Sequence, residues 1–259
     1  MTETTAGAVH PIFSDTPSAD AVLWRYMSFA KFAALMQSAN LRFTRIDRFD
    51  DHFEGVWPRR DLEAWNRMSA LPAGVTEAMR RNRVAASCWV NLPHESAGMW
   101  RLYAPGAEGV AVKTTFGKLL AITKTMETAA PGTVAGAAKV QYIDHATDSL
   151  LAQLRDGDAY PNAMLPFMLK HISYAHENEV RALVIAPMAP NGGFEIEPDG
   201  CGSASFTLAA LVEEVVTSPL GEPWFEETVI ELARAHGVTA VRRSDLHRRA
   251  FWQRAVPPS

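Results

Sequence analysis

The stretch HENEVRALVI, residues 176–185, constrains the fold of this chain more than any other part of its sequence. The apolar run that closes it reads as a buried strand. In a strand, Glu177, Glu179 and Arg181 project from one face, successive members roughly 7 Å apart, while Asn178, Val180 and Ala182 project from the other. A charge carried into a core costs free energy unless it is paired or put to use. Two uses fit the pattern. One glutamate at the end of a central strand can serve as hydrogen-bond acceptor or general base toward a ligand. Alternatively, a Glu and Arg pair closes the end of the sheet.

Further strands read from AVLWRYM (residues 21–27), NLRFTRIDRF, RVAASCWV, GVAVKTT, VQYID and VTAVRRSDL, rich in β-branched and aromatic residues or alternating in polarity. Ser28 is placed to cap a helix with Phe29, Phe32, Leu35 and Met36 on one face. Residues 60–83 read as helical with a break at LPAG, residues 144–156 and 160–173 as helices, and WFEETVIELARAHG as a helix ending at Gly237. Residues 127–139, ETAAPGTVAGAAK, read as a surface loop or disorder, and NGGFEIEPDGCGS as a turn-rich hairpin region. Strands and helices alternate without a strict βαβ repeat. The expected fold class is therefore α+β, a single domain with a mixed or antiparallel central sheet flanked by helices. Residues 1–20 are expected to form a flexible tail and residues 21–254 the domain.

The 47% hydrophobic content of the 259 residues is ample for a buried core. With 25 Lys and Arg against 29 Asp and Glu, the net charge of -4 is unlike that of a dedicated nucleic-acid binder. The C-terminal RRSDLHRRAFWQR, residues 242–254, clusters arginines with Phe251 and Trp252; it reads as a contact for nucleic acid or phosphate or, more plainly, as a solvated helix end that docks through its aromatic residues. Two cysteines, Cys88 and Cys201, are too few and scattered for a disulfide framework or a zinc knuckle, which points to a reducing cytoplasm. No apolar run approaches the roughly 20 residues of a membrane span.

RFDDHFEG gathers Asp50, Asp51, His52 and Glu54, residue types that bind magnesium, manganese or iron. No second spaced carboxylate motif completes a ligand set, so no metal is expected; the plainer reading is an Asx turn with Phe53 plugging the core. Trp100 and Tyr103 share a helix face, as core aromatics or as a ligand platform. Ser87 and Cys88 lack the surroundings of a catalytic nucleophile, and no glycine-rich phosphate loop is present.

Taken together, LWRYMSF, LRFTRIDRFDDHFEG, ASCWV, MWRLYAPGAEGVAVKTT, VQYID, HENEVRALVI and VVTSPLGEPWFEETVIELARAHGV resemble, in order and spacing, the bacterial DUF2971 family, a domain of unknown function. The resemblance spans about residues 22–246. It matches that family's acidic loop at Asp50, Asp51, Phe53 and Glu54, its aromatic helix at Met99, Trp100 and Tyr103, and its Glu-x-Glu-x-Arg strand at Glu177, Glu179 and Arg181. Where the family commonly has Asp-Pro, this chain has Asp51 and His52. A weaker similarity is to ADP-ribosyltransferases of the arginine, serine, glutamate class, on the order of Arg25, Ser87 and Glu179. That similarity implies NAD as substrate, with Glu179 as the catalytic carboxylate helped by Glu177 and Arg25.

The expected site is thus a polar cleft of Arg25, Tyr26, Ser87, Asp51, Glu54, Trp100, Tyr103, Glu177, Glu179 and Arg181, acting on a nucleotide as an ADP-ribosyltransferase-like enzyme. Two alternatives stand beside it: a binding module in which the same residues form a structural network, and a metal-dependent nuclease using the 50–54 loop.

Overall fold

Small and branched apolar residues let β3 (Val84–Asn91) lie buried at the centre of the molecule, with strands on both edges. The computed structural model describes residues 11–67, 82–129, 132–153, 164–186 and 201–246. The other strands of the main sheet are β1 (Val22–Ser28), β2 (Asn40–Arg45), β4 (Gly109–Thr115), β5 (Val134–Lys139), β8 (Glu179–Ile185), β9 (Cys201–Ser205), β10 (Glu214–Thr217) and β11 (Val241–Arg243). Pairing is antiparallel throughout except between β10 and β11. A separate parallel pair joins β6 (Gln141–Ile143) to β7 (Leu169–His171). The architecture is the expected mostly antiparallel sheet flanked by helices.

The sheet forks at β3. One edge of that strand pairs with β8 from Val84 to Val90. The opposite edge is shared: β1 takes Val90 and Asn91, β2 takes Ala85 and Ala86, and Ser87, Cys88 and Trp89 are paired with neither. From the fork, β1 leads into the wing β4, β10, β11, and β2 leads into β9.

The registers sort side chains onto two faces. Leu23, Arg25 and Met27, Ser87 and Trp89, and Val180, Ala182 and Val184 share one face; Trp24 and Tyr26, Cys88 and Val90, and Glu179, Arg181 and Leu183 share the other. The first face is covered by helices α1 (Phe29–Ser38), α4 (Phe116–Ala129) and α6 (Pro223–Ala235) through Phe32, Leu35, Met36, Leu119, Ile122, Phe225 and Val229. On the second face, Ile12, Phe13, Ile46, Phe167 and Met168 pack against β3 and β8, and α3 (Ala97–Tyr103) covers β1. Two further helices are α2 (Arg59–Arg67) and α5 (Leu208–Leu211).

Several expectations change. Residues 134–139, expected in a loop, form a buried strand, because small residues are what the space allows: a Cβ on Gly136 would run into the Phe13 ring. Ile12 and Phe13, expected in a flexible tail, are buried, Phe13 in that same contact, and the Asp15 carbonyl accepts the Lys139 amide at 2.8 Å. Of the two helices expected at 144–156 and 160–173, the described parts hold only short 3-10 turns, Leu151–Gln153 and Leu165–Met168, the second running into β7, while residues 154–163 lie outside the described residues. Ser28 precedes α1 without a side-chain capping bond. Most of residues 68–83, the 191–200 part of the hairpin region, and Phe251 and Trp252 lie outside the described residues.

Candidate functional site

The chain enters β8 through the 3-10 turn Ile172–Glu177 and Asn178, which takes a left-handed conformation at φ 42°. Asparagine tolerates that conformation better than most residues. Its side-chain amide donates to the Asn91 carbonyl, and its own carbonyl accepts from the Asn91 amide at 2.9 Å, so the turn is stitched to the end of β3. Glu177 and Glu179 are thereby carried over the second face of the sheet.

There they meet a chain of ionised groups closed to solvent. The Arg181 guanidinium, fully buried, forks onto Glu54 with bonds of 2.7 and 3.0 Å, donates through Nε to Glu179 Oε1 at 2.8 Å, and also bonds the Phe167 carbonyl. Lys170 of β7 donates to Glu179 Oε2 at 3.0 Å and Glu177 Oε2 at 2.5 Å. The Tyr103 hydroxyl donates to Glu177 Oε1 at 2.6 Å, and the Tyr142 hydroxyl accepts the Glu179 amide at 2.8 Å. All six carboxylate oxygens of Glu54, Glu177 and Glu179 therefore have a protein donor.

Burial by itself raises the Glu179 carboxyl, but Arg181 and Lys170 outweigh it and hold its pKa down to about 2. Burial wins at Glu54, which is raised despite Arg181. Lys170 is raised above the usual ammonium range: burial works against its charge, and Glu179 and Glu177 more than compensate. Burial, then Glu179, pushes the Cys88 thiol well up, so it is a protonated neighbour of that carboxylate and no nucleophile. Tyr103 is raised by burial and by Glu177. Three carboxylates against two cations leave the ionised network with one excess negative charge.

The remaining expected site residues divide. Tyr26 and Trp100 share the second face but form their own cluster, 5.0 Å apart edge to face. The Tyr26 hydroxyl accepts the Ser96 amide at 2.9 Å, burial pushes its pKa up to about 12, and the Trp100 indole donates to Glu95. Trp100 is buried whereas Tyr103 is 47% exposed, so the two aromatics of α3 do different work. Asp51 makes the expected Asx turn, accepting the Phe53 amide at 3.0 Å, but Phe53 stands 44% exposed and does not plug the core.

Arg25 and Ser87 lie across the sheet from Glu179, on its helix-covered face. They touch each other: Arg25 Nη1 donates to Ser87 Oγ at 2.8 Å, and the guanidinium sits 5.7 Å from the Trp89 ring centre. Burial lowers the Arg25 pKa, and no carboxylate among the described residues pairs with it. No group of three His, Cys, Asp or Glu among the described residues is placed to hold a metal ion. No described helix is long and apolar enough to cross a membrane.

Lys170 and Tyr142 were not singled out by the sequence, though Lys170 left a signal: it is the one charge before His171 in the run MLPFMLKHI. A lone lysine in an apolar stretch implies a buried partner.

Among solved structures, "Thermus sp. 2.9 DarT in complex with NAD+" matches at 10% identity and a TM-score of 0.37, over 88% of this chain and 97% of that one. "Thermus sp. 2.9 DarT in complex with carba-NAD+" matches at 10% identity and a TM-score of 0.36, over 88% and 96%. No curated protein matches. The family described as "Protein of unknown function (DUF2971)" matches residues 99–182, from α3 into β8 and including Tyr103, Tyr142, Lys170, Glu177, Glu179 and Arg181.

Proposed function

We propose that the chain binds a phosphate-bearing ligand of the nucleotide class at the fork in its sheet, with Arg25 as the anchor, and that its activity is ADP-ribosyl transfer from NAD. The observation that carries the reading is the Arg25 guanidinium, half-buried and without a carboxylate among the described residues. Of its five donors one is used on Ser87, and Trp89 beneath it fixes the plane. A desolvated cation with free donors favours an anion, and a guanidinium suits phosphate in particular.

In the transfer reading the bond between ribose and nicotinamide breaks, nicotinamide leaves with the bonding pair, and an acceptor bonds the ribosyl carbon and gives up its proton to solvent. Glu179, ionised and held low with its oxygens kept on Arg181 and Lys170, serves in that step as a counter-charge to the positive ribosyl centre rather than as a base. Glu177, with one oxygen on the partly exposed Tyr103, is its neighbour nearest solvent. Because Arg25 and Glu179 occupy opposite faces, the ligand has to reach through the fork between β1 and β2.

The test is titration of ADP-ribose together with assay of nicotinamide release from NAD, on wild type, Arg25→Gln and Glu179→Gln. The expected result is ADP-ribose binding weakened at least about tenfold by Arg25→Gln, as loss of a charge-assisted phosphate contact implies, and nicotinamide release lost in Glu179→Gln. Binding indifferent to Arg25 removes the nucleotide reading; binding without release by wild type removes the transfer reading alone. A second reading, a non-catalytic module, is favoured by the six occupied carboxylate oxygens, and it expects Glu179→Gln to alter stability but not ligand binding.

A further inference from the structure

A second unusual cluster lies on the Arg181 side of the sheet. The parallel pairing of β6 with β7 sets Ile143 beside His171, so the turn after β6 brings His145 alongside the end of β7. The imidazoles are 6.1 Å apart and 15° from parallel. Phe53, from the loop that also supplies Glu54, lies against both rings, 4.9 Å from His145 and 5.3 Å from His171 at angles of 31° and 26°.

Polar atoms around these rings lack partners. His145 is 3% exposed, and neither of its ring nitrogens makes a well-formed hydrogen bond, although the Val56 backbone and the Asp51 charge both lie close enough to favour its charged form. Asp51 Oδ2 is also buried and unpartnered, while its other oxygen holds the Phe53 amide. Buried polar atoms left unbonded cost about 1–3 kcal/mol each, and folded proteins keep few of them without a reason. Three in one place, from two separate segments, beside an aromatic ring open to solvent, describe a site built to be filled.

The chemistry limits the occupant. Burial, and then His171, keep the His145 pKa below the usual imidazole range, so near neutral pH the ring offers one donor and one acceptor. Asp51 offers an acceptor. The nearby Asp51 and Asp144 charges oppose an anion, and the described residues place no third ligand for a metal ion. What complements two acceptors and one donor under a near-parallel set of rings is a flat, uncharged ring with an amino or carboxamide edge. The amino group satisfies Asp51, and a ring nitrogen or carbonyl beside it accepts from His145. Phe53, the most exposed of the three rings, moves aside and stacks on the guest.

We propose that Phe53, His145, His171 and Asp51 form a binding site for an uncharged amino- or carboxamide-substituted heteroaromatic ring of the nucleobase type. The site is independent of the phosphate anchor at Arg25, which lies on the other face of the sheet.

The experiment is calorimetric and thermal-shift titration of the full chain with adenine, nicotinamide and unsubstituted purine, none of which carries a phosphate. Wild type, Arg25→Gln, Phe53→Ala and Asp51→Asn are compared. Phe53 is partly exposed, so its removal leaves the fold intact, and the amide introduced by Asp51→Asn keeps an oxygen for the Phe53 backbone N–H while losing the charged acceptor. The expected result is saturable binding of adenine or nicotinamide, at least about tenfold weaker with purine and in both cluster variants, the scale of one lost buried hydrogen bond or stacking contact, and unchanged in Arg25→Gln. No binding of either substituted ring, or equal binding in wild type, Phe53→Ala and Asp51→Asn, overturns the proposal. Loss of ADP-ribose binding in Arg25→Gln with base binding intact separates this site from the nucleotide reading.

Discussion

Replacing Glu179 by Gln removes the charge shared by Arg181 and Lys170 while leaving the shape of the side chain. Its cost follows from the structure by two routes. The carboxyl is held from the ordinary 4.5 down to about 2 in a group that is almost wholly buried. At about 1.4 kcal/mol per pH unit, that depression corresponds to about 3 kcal/mol of stability at neutral pH. Breaking a buried ion pair costs about 3–5 kcal/mol, and here the low end applies, because Arg181 keeps Glu54 and Lys170 keeps Glu177. Glu179→Gln should therefore lose about 3 kcal/mol at pH 7, or roughly 6–12 °C in Tm for a chain of this size. The pH dependence has a definite sign. A depressed carboxyl stabilises fully above its unfolded value near 4.5 and loses that contribution as the pH falls toward 2. The gap between wild type and variant should shrink to about half by about pH 3. Urea unfolding of both proteins at these two pH values measures it. A gap under about 1 kcal/mol at neutral pH, or one that does not change with pH, would refute the account of how this network is held.

Lys170→Met should cost about 3–5 kcal/mol, since two buried carboxylates lose their shared cation. Adding Glu177→Gln should restore part of that loss, giving a coupling above about 1 kcal/mol in a double-mutant cycle; strict additivity would deny the contact. Gly136→Ala should destabilise by about 1–3 kcal/mol by driving a methyl into Phe13, and Phe13→Leu in the same chain should relieve it. Equal Tm for wild type and Gly136→Ala would mean the N-terminal turn does not pack there.

The elements easiest to read in the sequence were those whose local pattern agrees with their surroundings. β1, β3, β4, β8 and the helix at 223–235 each carry a periodicity that burial then enforces. β5 was unreadable because its small residues answer to two distant surroundings: Gly136 makes room for the Phe13 ring, while Ala135 and Ala137 pack into the helix-covered core on the other face. The shared face of Glu179 and Arg181 followed from period-two alternation, whereas Glu177, expected on the same strand, lies in the 3-10 turn before β8 and reaches Lys170 from there; the partners did not follow, since Glu54 and Lys170 arrive from other segments. The order of Arg25, Ser87 and Glu179 along the chain could not say that the third lies across the sheet from the first two. Register decides that, and register depends on pairings between strands.

The fork at β3 also bears on how the molecule can move. β8 grips one edge of β3 from Val84 to Val90, whereas the other edge is divided between two strands that hold it only at Ala85 and Ala86 and at Val90 and Asn91. Such a joint resembles a spine with two wings: twisting one wing against the other strains a few backbone bonds near Ala86 and Val90 and leaves the β3–β8 ladder intact. Arg25 sits on the wing side of that joint, so the width of the gap above Ser87 is set by the softest coordinate of the sheet.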